Sequence, residues 1–116
     1  MFDQIKHHQH DGIDVLVLRG QFIGGEETDN LRSALNAVAE QQSNNLIVNL
    51  ADVSYLNSTA LGVLISAHAN FIKRNGRIAL CSIGKSIENI FVITKLTMVF
   101  EIHSTLEEAT KAFTNT

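Results

Sequence analysis

The spacing of apolar and polar positions changes along the chain, and the changes mark alternating strands and helices. Ile13, Val15 and Val17, interleaved with Leu16 and Leu18, form a β-branched apolar run that ends at Gly20 and predicts a strand. Phe2 to His7 is a candidate edge partner, with Asp11-Gly12 as the turn between the two. After Gly24-Gly25 the period becomes helical. Leu31, Ala34, Leu35 and Val38 recur at helix spacing, and Glu26, Glu27 and Asp29 stand where acidic groups favour the positive end of the helix dipole. This predicts a helix from about Gly25 to Gln41, broken by Ser43-Asn44-Asn45. Leu46 to Leu50 is short, apolar and continuous, as expected of a central strand covered on both faces.

A second helix is predicted from Ser58 to about Asn75. Leu61, Leu64, Ile65, His68 and Ile72 form one stripe, with Ala60, Val63, Ala67 and Phe71 beside it. A stripe this wide implies a mostly buried helix, with Leu61, Leu64 and Ile65 facing the sheet. Asn75-Gly76 supplies a left-handed stop. Arg77 to Ser82 predicts a strand, Lys85 to Thr94 a helix, Met98 to Ile102 a short strand, and Thr105 to Phe113 a last helix capped by Ser104 or Thr105. Strand and helix alternate from Asn45 onward. The fold class is therefore α/β, a mixed central sheet with about four helices packed against it.

Composition narrows the picture. At 116 residues the chain fits one domain, residues 1–116, and can bury enough surface to fold without a metal or disulfide. A single Cys cannot form an internal bridge, excludes a Cys-based zinc site, and suits a reduced, cytoplasmic setting. A net charge of −3 argues against non-specific nucleic-acid binding. No apolar run approaches the roughly 20 residues of a membrane span, and the start MFDQIKHHQH has no apolar signal core.

The informative stretch is LIVNLADVSYLNSTALGVL, Leu46 to Leu64. A buried strand leads into a helix opening with Asn57, Ser58 and Thr59, three capping-type residues where one suffices. Free backbone N–H groups and the dipole at such a place favour an anion, and a hydroxyl there can carry a phosphate. Ala60 and Gly62 are small enough to let a partner approach closely. From these residues alone, a capped, buried helix with no further role stands beside a docking or modification site.

The stretch resembles a STAS domain of the bacterial anti-sigma factor antagonist type. That family has an apolar strand ending in Asp, then a loop, then Asp-Ser-Ser/Thr-Gly-Leu-Gly opening an apolar helix. The matching residues here are Asn49 at the strand end and Asn57-Ser58-Thr59-Ala60-Leu61-Gly62 at the helix start. The resemblance extends over nearly the whole chain, through Leu18 to Phe22, Ile83 to Ile90, Ile93 to Leu96, Val99 to Ile102, and Ser104, Glu108 and Ala109. It departs from the pattern where amides replace both acids, at Asn49 and Asn57, and where Ala60 replaces Gly. The resemblance implies a regulatory protein that binds an anti-sigma factor, usually a serine-protein kinase, when unphosphorylated. Phosphorylation would release it, and a phosphatase of the PP2C type would restore it. It implies Thr59 as phosphoacceptor, Ser58 as secondary, and a partner surface of Asn57, Ser58, Thr59, Ala60, Gly62 and Asn49. The alternative it leaves is a non-phosphorylated STAS scaffold subunit of a signalling or lipid-transport assembly.

Other candidates carry less. His8 and His10 share a strand face that could hold a metal, but His7, His8 and His10 lack a partner at ligand spacing and read as a solvated edge. His68 reads as a packing residue, and His103 gives no signal. Cys81 lies in an apolar strand with no activating base nearby. Lys73, Arg74 and Arg77 form a basic cluster that complements a helix end or meets an acidic partner. Gly24-Gly25 fits neither phosphate-binding fingerprint. No nucleophile–base set, carboxylate pair, metal site or cofactor motif emerges, so the sequence predicts a binding protein rather than an enzyme.

Overall fold

The computed structural model describes residues 4–41 and 44–114. The expectations for Phe2 and Ser43 lie outside that range. The elements are β1 (Ile5–His10), β2 (Ile13–Phe22), α1 (Gly25–Glu40), β3 (Asn45–Leu56), α2 (Ser58–Lys73), β4 (Arg77–Cys81), α3 (Lys85–Ile93), β5 (Glu101–His103) and α4 (Leu106–Thr114). A single 3₁₀ turn, Leu96–Met98, lies between α3 and β5. The strands form one sheet in the order β1-β2-β3-β4-β5. β1 is antiparallel to β2, and every later pair is parallel. The mixed α/β sheet with four helices is the architecture the alternation predicts.

Each boundary has a local cause. Asp11 and Gly12 both have positive φ, +52° and +80°, as a two-residue turn matching the strand twist requires. Asn75 (φ +59°) ends α2, its N–H donating to Ile72 O while that of Gly76 donates to Phe71 O. Gly76 is needed here for space. A Cβ would sit 3.0 Å from the Asn44 and Phe71 carbonyl oxygens.

Because the parallel strands step in one direction across the sheet, crossovers of a single hand put α1, α2 and α3 on one face. Their apolar sides, including Leu31, Leu35, Leu64, Phe71, Ile87 and Phe91, join the inward residues of the sheet in the larger core. On the other face, Ala109 and Phe113 of α4 cover Ile13, Val15, Ile47, Ala79 and Cys81. Cys81 is a core hydrophobe, and burial pushes its thiol pKa up, away from a reactive thiolate.

Three expectations need correction. β3 does not stop at Leu50 but runs to Leu56. Its second half pairs with β2 alone through Arg19↔Asp52 and Phe22↔Leu56, because the β4 pairing ends at Asn49↔Cys81. Two register shifts put extra residues into β3, which blurs the period-2 signal and makes the segment resemble a loop. The strand expected at Met98–Ile102 lies at Glu101–His103, after the 3₁₀ turn. Leu96 anchors that turn while Met98 is 83% exposed, so the segment's apolar residues do not share a core face.

The third correction concerns α2. Its buried side is Ala60, Val63, Leu64, Ala67 and Phe71. Leu64 is fully buried and Leu61 half-buried, but Ile65 is 39% exposed and Ile72 54% exposed. Only one half of the broad apolar stripe faces the core.

Candidate functional site

All four helices start at the carboxyl ends of the strands they follow, so their amino termini gather along one edge of the sheet. In parallel α/β sheets this is the edge where loops and free helix N–H groups are available for binding. Asn57 organises its centre. The Asn57 Oδ1 accepts the Ala60 N–H at 2.8 Å, capping α2. Its Nδ2 donates to Ile23 O at 3.1 Å, and its backbone N–H donates to Phe22 O at 3.0 Å. One amide side chain thus fastens the β2–α1 loop to the start of α2. A carboxylate could accept the cap bond but could not donate to Ile23. The amide in place of the family's acid therefore makes a bond that an acid cannot.

Ser58 and Thr59 follow this clamp and are both exposed. Neither hydroxyl has an intramolecular partner among the described residues. Ala60, expected on a partner surface, is instead fully buried. Its methyl packs into the larger core, so it adds nothing to the exterior. Gly62, one turn after Thr59, is exposed, and a Cβ there would meet nothing within 4 Å. The packing of this chain does not require a glycine at 62, although a helical glycine costs about 0.5–1 kcal/mol relative to alanine.

A groove of about 520 Å³ runs between α1 and α2, with Arg32 and Asn36 on one wall and Thr59, Gly62, Ser66 and Asn70 on the other. Its lining contains one cation and no carboxylate. Arg32 and this groove were missed in the sequence, because α1 and α2 are far apart in the chain and only packing makes them neighbours. The α1 start is held by hydrogen bonds. Glu27 accepts the Gly24 N–H at 2.9 Å, and the Thr28 hydroxyl donates to Gly24 O at 2.9 Å. Asn49, the other amide expected at the site, is half-buried and accepts the Ala51 N–H at 3.0 Å. It supports β3 where the β4 pairing ends.

The remaining candidates fall into place as internal contacts. His7 lies exposed on the edge strand β1, as expected, but it has a partner. β1–β2 pairing brings its Nε2 to 2.6 Å from the buried Asp14 Oδ1, to which Gln9 also donates. His8 and His10 line a shallow groove with Glu107 on the opposite face. Among the described residues no group of three His, Cys, Asp or Glu could hold a metal. His68 packs edge-on against Phe100, with ring centroids 5.2 Å apart.

The basic cluster divides. Arg74 lies over the Phe71 ring and reaches Ala39 O at the end of α1. Arg77 is neither a helix-end charge nor open to an acidic partner. It forks onto both oxygens of Glu101 at 2.8 and 2.6 Å and stacks over Phe113. His103, which carried no signal, also reaches Glu101 Oε2, at 2.7 Å. Hydrogen bonding from Arg77, opposed by burial and reinforced by His103, holds the Glu101 carboxyl below its ordinary pKa.

Residues 4–109 match the STAS domain. The chain belongs to the STAS family. It is 28% identical over 103 residues to a protein of Listeria monocytogenes named anti-sigma-B factor antagonist, a match covering 85% of each chain. The crystal structure of an anti-sigma factor antagonist from Mycobacterium paratuberculosis superposes with a TM-score of 0.84 at 25% identity, covering 93% of this chain and 91% of the other. The Bacillus cell fate determinant SpoIIAA, solved in its phosphorylated form, shares the fold with a TM-score of 0.75 at 17% identity, covering 94% of this chain and 98% of its own. Within the STAS fold, the Asn57–Gly62 segment of this chain forms the cap and first turn of α2, with Ser58, Thr59 and Gly62 exposed. Among the described residues, no helix is long and apolar enough to cross a membrane.

Proposed function

We propose that this chain is an anti-sigma factor antagonist, a binding protein rather than an enzyme, whose docking surface is the start of α2 and the groove beside it. Unmodified, it binds an anti-sigma factor of the serine-protein kinase type in the cytoplasm and so frees a sigma factor. The kinase transfers the γ-phosphoryl group of ATP to the Thr59 Oγ1, the hydroxyl proton leaves, and ADP is released. A phosphatase of the PP2C type reverses the change by hydrolysis. The observation that carries this reading is the exposed Thr59 hydroxyl, without an intramolecular partner among the described residues, in the first turn of a helix whose start is clamped by Asn57. The names of the Listeria and Mycobacterium relatives support it.

Phosphate adds about −1.5 to −2 charges at neutral pH. The helix amino terminus tolerates such charge, at about 0.3–1 kcal/mol of favourable interaction. A partner packed over Thr59 does not, because it must strip water from the phosphate or face it with its own acids. Modification should therefore leave the fold intact and end binding.

The test is incubation with the kinase-type anti-sigma factors encoded in the same genome and ATP, followed by mass spectrometry of the α2-start peptide. Phosphate on Thr59, absent from Thr59→Ala, is expected, with Ser58 modified more slowly. Thr59→Ala should still bind the partner, and Thr59→Glu should bind it more weakly. If Thr59→Ala is labelled as fast as the wild type, or if phosphorylated protein binds as tightly as unmodified protein, the switch fails and a constitutive scaffold subunit takes its place.

A further inference from the structure

We infer that Arg32 holds the phosphate on Thr59 in place, so that the modified side chain folds into the end of the α1–α2 groove beside Gly62. This rests on the proposed phosphorylation of Thr59 and adds the means by which the same chain stabilises the modified state. Arg32 and Thr59 line opposite walls of one groove whose lining holds no other charge. Side chains on a helix lean toward its amino end. The Arg32 Nη1 does so, reaching back to the Asp29 Oδ1 at 2.8 Å, one turn nearer the α1 start. Since α1 and α2 both begin at the carboxyl edge of the sheet, this lean carries the guanidinium toward the level of Thr59.

The present partner of Arg32 is easily exchanged. Both members of the Asp29 pair are at least half exposed, and such single-contact surface pairs are weak. A phosphate carries nearly twice the charge of a carboxylate and offers oxygens that match the two-pronged guanidinium donor. No carboxylate among the lining residues opposes the charge. Binding would then end in two ways at once. The phosphate repels an acidic or apolar partner, and it occupies the space beside Gly62 that such a partner would use.

The test uses the full chain with phosphothreonine installed at position 59 during translation, so that no kinase is needed. Phosphorus NMR titration reads the second ionisation of the phosphate in the otherwise wild-type, Arg32→Ala and Arg32→Lys proteins. An adjacent guanidinium favours the dianion, so the Arg32 protein should titrate about half a unit or more below Arg32→Ala. Arg32→Lys should fall between them, since lysine keeps the charge but not the fork. Arg32 is exposed, so unmodified Arg32→Ala should melt with the wild type. Coincident titration curves for the Arg32 and Arg32→Ala proteins would overturn the inference while leaving the kinase reading untouched. Failure of kinases to label Thr59 would remove that reading while leaving the titration as it is.

Discussion

The two ends of the parallel sheet use their polar residues differently. Toward the amino ends of the strands, polar groups are matched to one another within the chain. Asp14 at the start of β2 takes His7 and Gln9, and Arg77 at the start of β4 takes Glu101, which also takes His103. At the carboxyl ends, Asn57 holds the start of α2 and Glu27 and Thr28 that of α1, while Ser58 and Thr59 next to Asn57 are exposed and have no intramolecular partner among the described residues. A polar residue answered within the chain is explained by folding. One left unanswered beside a rigid clamp is available to something outside. The contrast separates supporting residues from candidate functional ones without reference to residue type, since His, Asp and Arg look more chemical than Thr and Gly.

The largest test of the frame beneath both ends is the core face of α2. Leu64→Ala should cost about 2–5 kcal/mol through lost burial and a residual cavity. Ile65→Ala, one position on, should cost under about 1 kcal/mol because its side chain is already partly in water. Equal losses in denaturant unfolding would show that the assigned face of α2 is rotated.

The next effect belongs to the matched end. Glu101→Gln removes a partly screened, charge-assisted fork and should cost about 1–2 kcal/mol near neutral pH. Its pH dependence has a definite sign. The Glu101 carboxyl titrates below its ordinary value in the folded chain. Its contribution is therefore fully present above the unfolded-state pKa and is lost as pH falls through the lowered folded value. Stability measured from neutral to acid pH should converge for wild type and Glu101→Gln at the acid end. A constant gap would contradict the ion pair as its cause.

Asn57→Ala should cost about 1 kcal/mol by loss of the cap, and more if the Ile23 bond contributes. Asn57→Asp sharpens the point. It keeps the cap oxygen and adds favourable charge at the helix start, yet sets a carboxylate against the Ile23 carbonyl. It should leave α2 capped but increase hydrogen exchange in the Ile23–Gly24 loop and at the start of α1. Unchanged loop protection would show that the Nδ2 bond does not hold that loop. The smallest effect, with opposite sign, is at Gly62. Gly62→Ala should raise stability by about 0.5–1 kcal/mol, since a Cβ there meets open space and alanine favours the helix. The same change should weaken the proposed docking of an anti-sigma factor. A variant more stable and equally tight in binding would remove Gly62 from the docking surface.

Local pattern was enough for most elements. The strand 13–20, the helices at 25–41, 58–75 and 85–94, and the Asp11-Gly12 turn follow from period, caps and glycine, which act within a few residues. The start of α2 at Ser58 and the Asn57 cap were legible for the same reason. The exposed Thr59 was legible through the resemblance to a motif. The second half of β3 was not, because its strand character comes from pairing with β2 across bulges. The 3₁₀ turn was not, because Met98 and Val99 are apolar and yet exposed.

By itself, then, the sequence determined the order and type of the elements, the family, and the segment where the candidate site lies. These depend on neighbours in the chain, and hydrophobic period and capping chemistry report on such neighbours directly. Only the tertiary structure decided which half of the α2 stripe is core, that Ala60 is buried, that Asn57 holds Ile23, and that Arg32 shares a groove with Thr59. It also decided that His7 meets Asp14 and that Arg77 and His103 meet on Glu101. Each of these joins residues from different elements, and such contacts exist only once the helices have packed and the strands have paired in register.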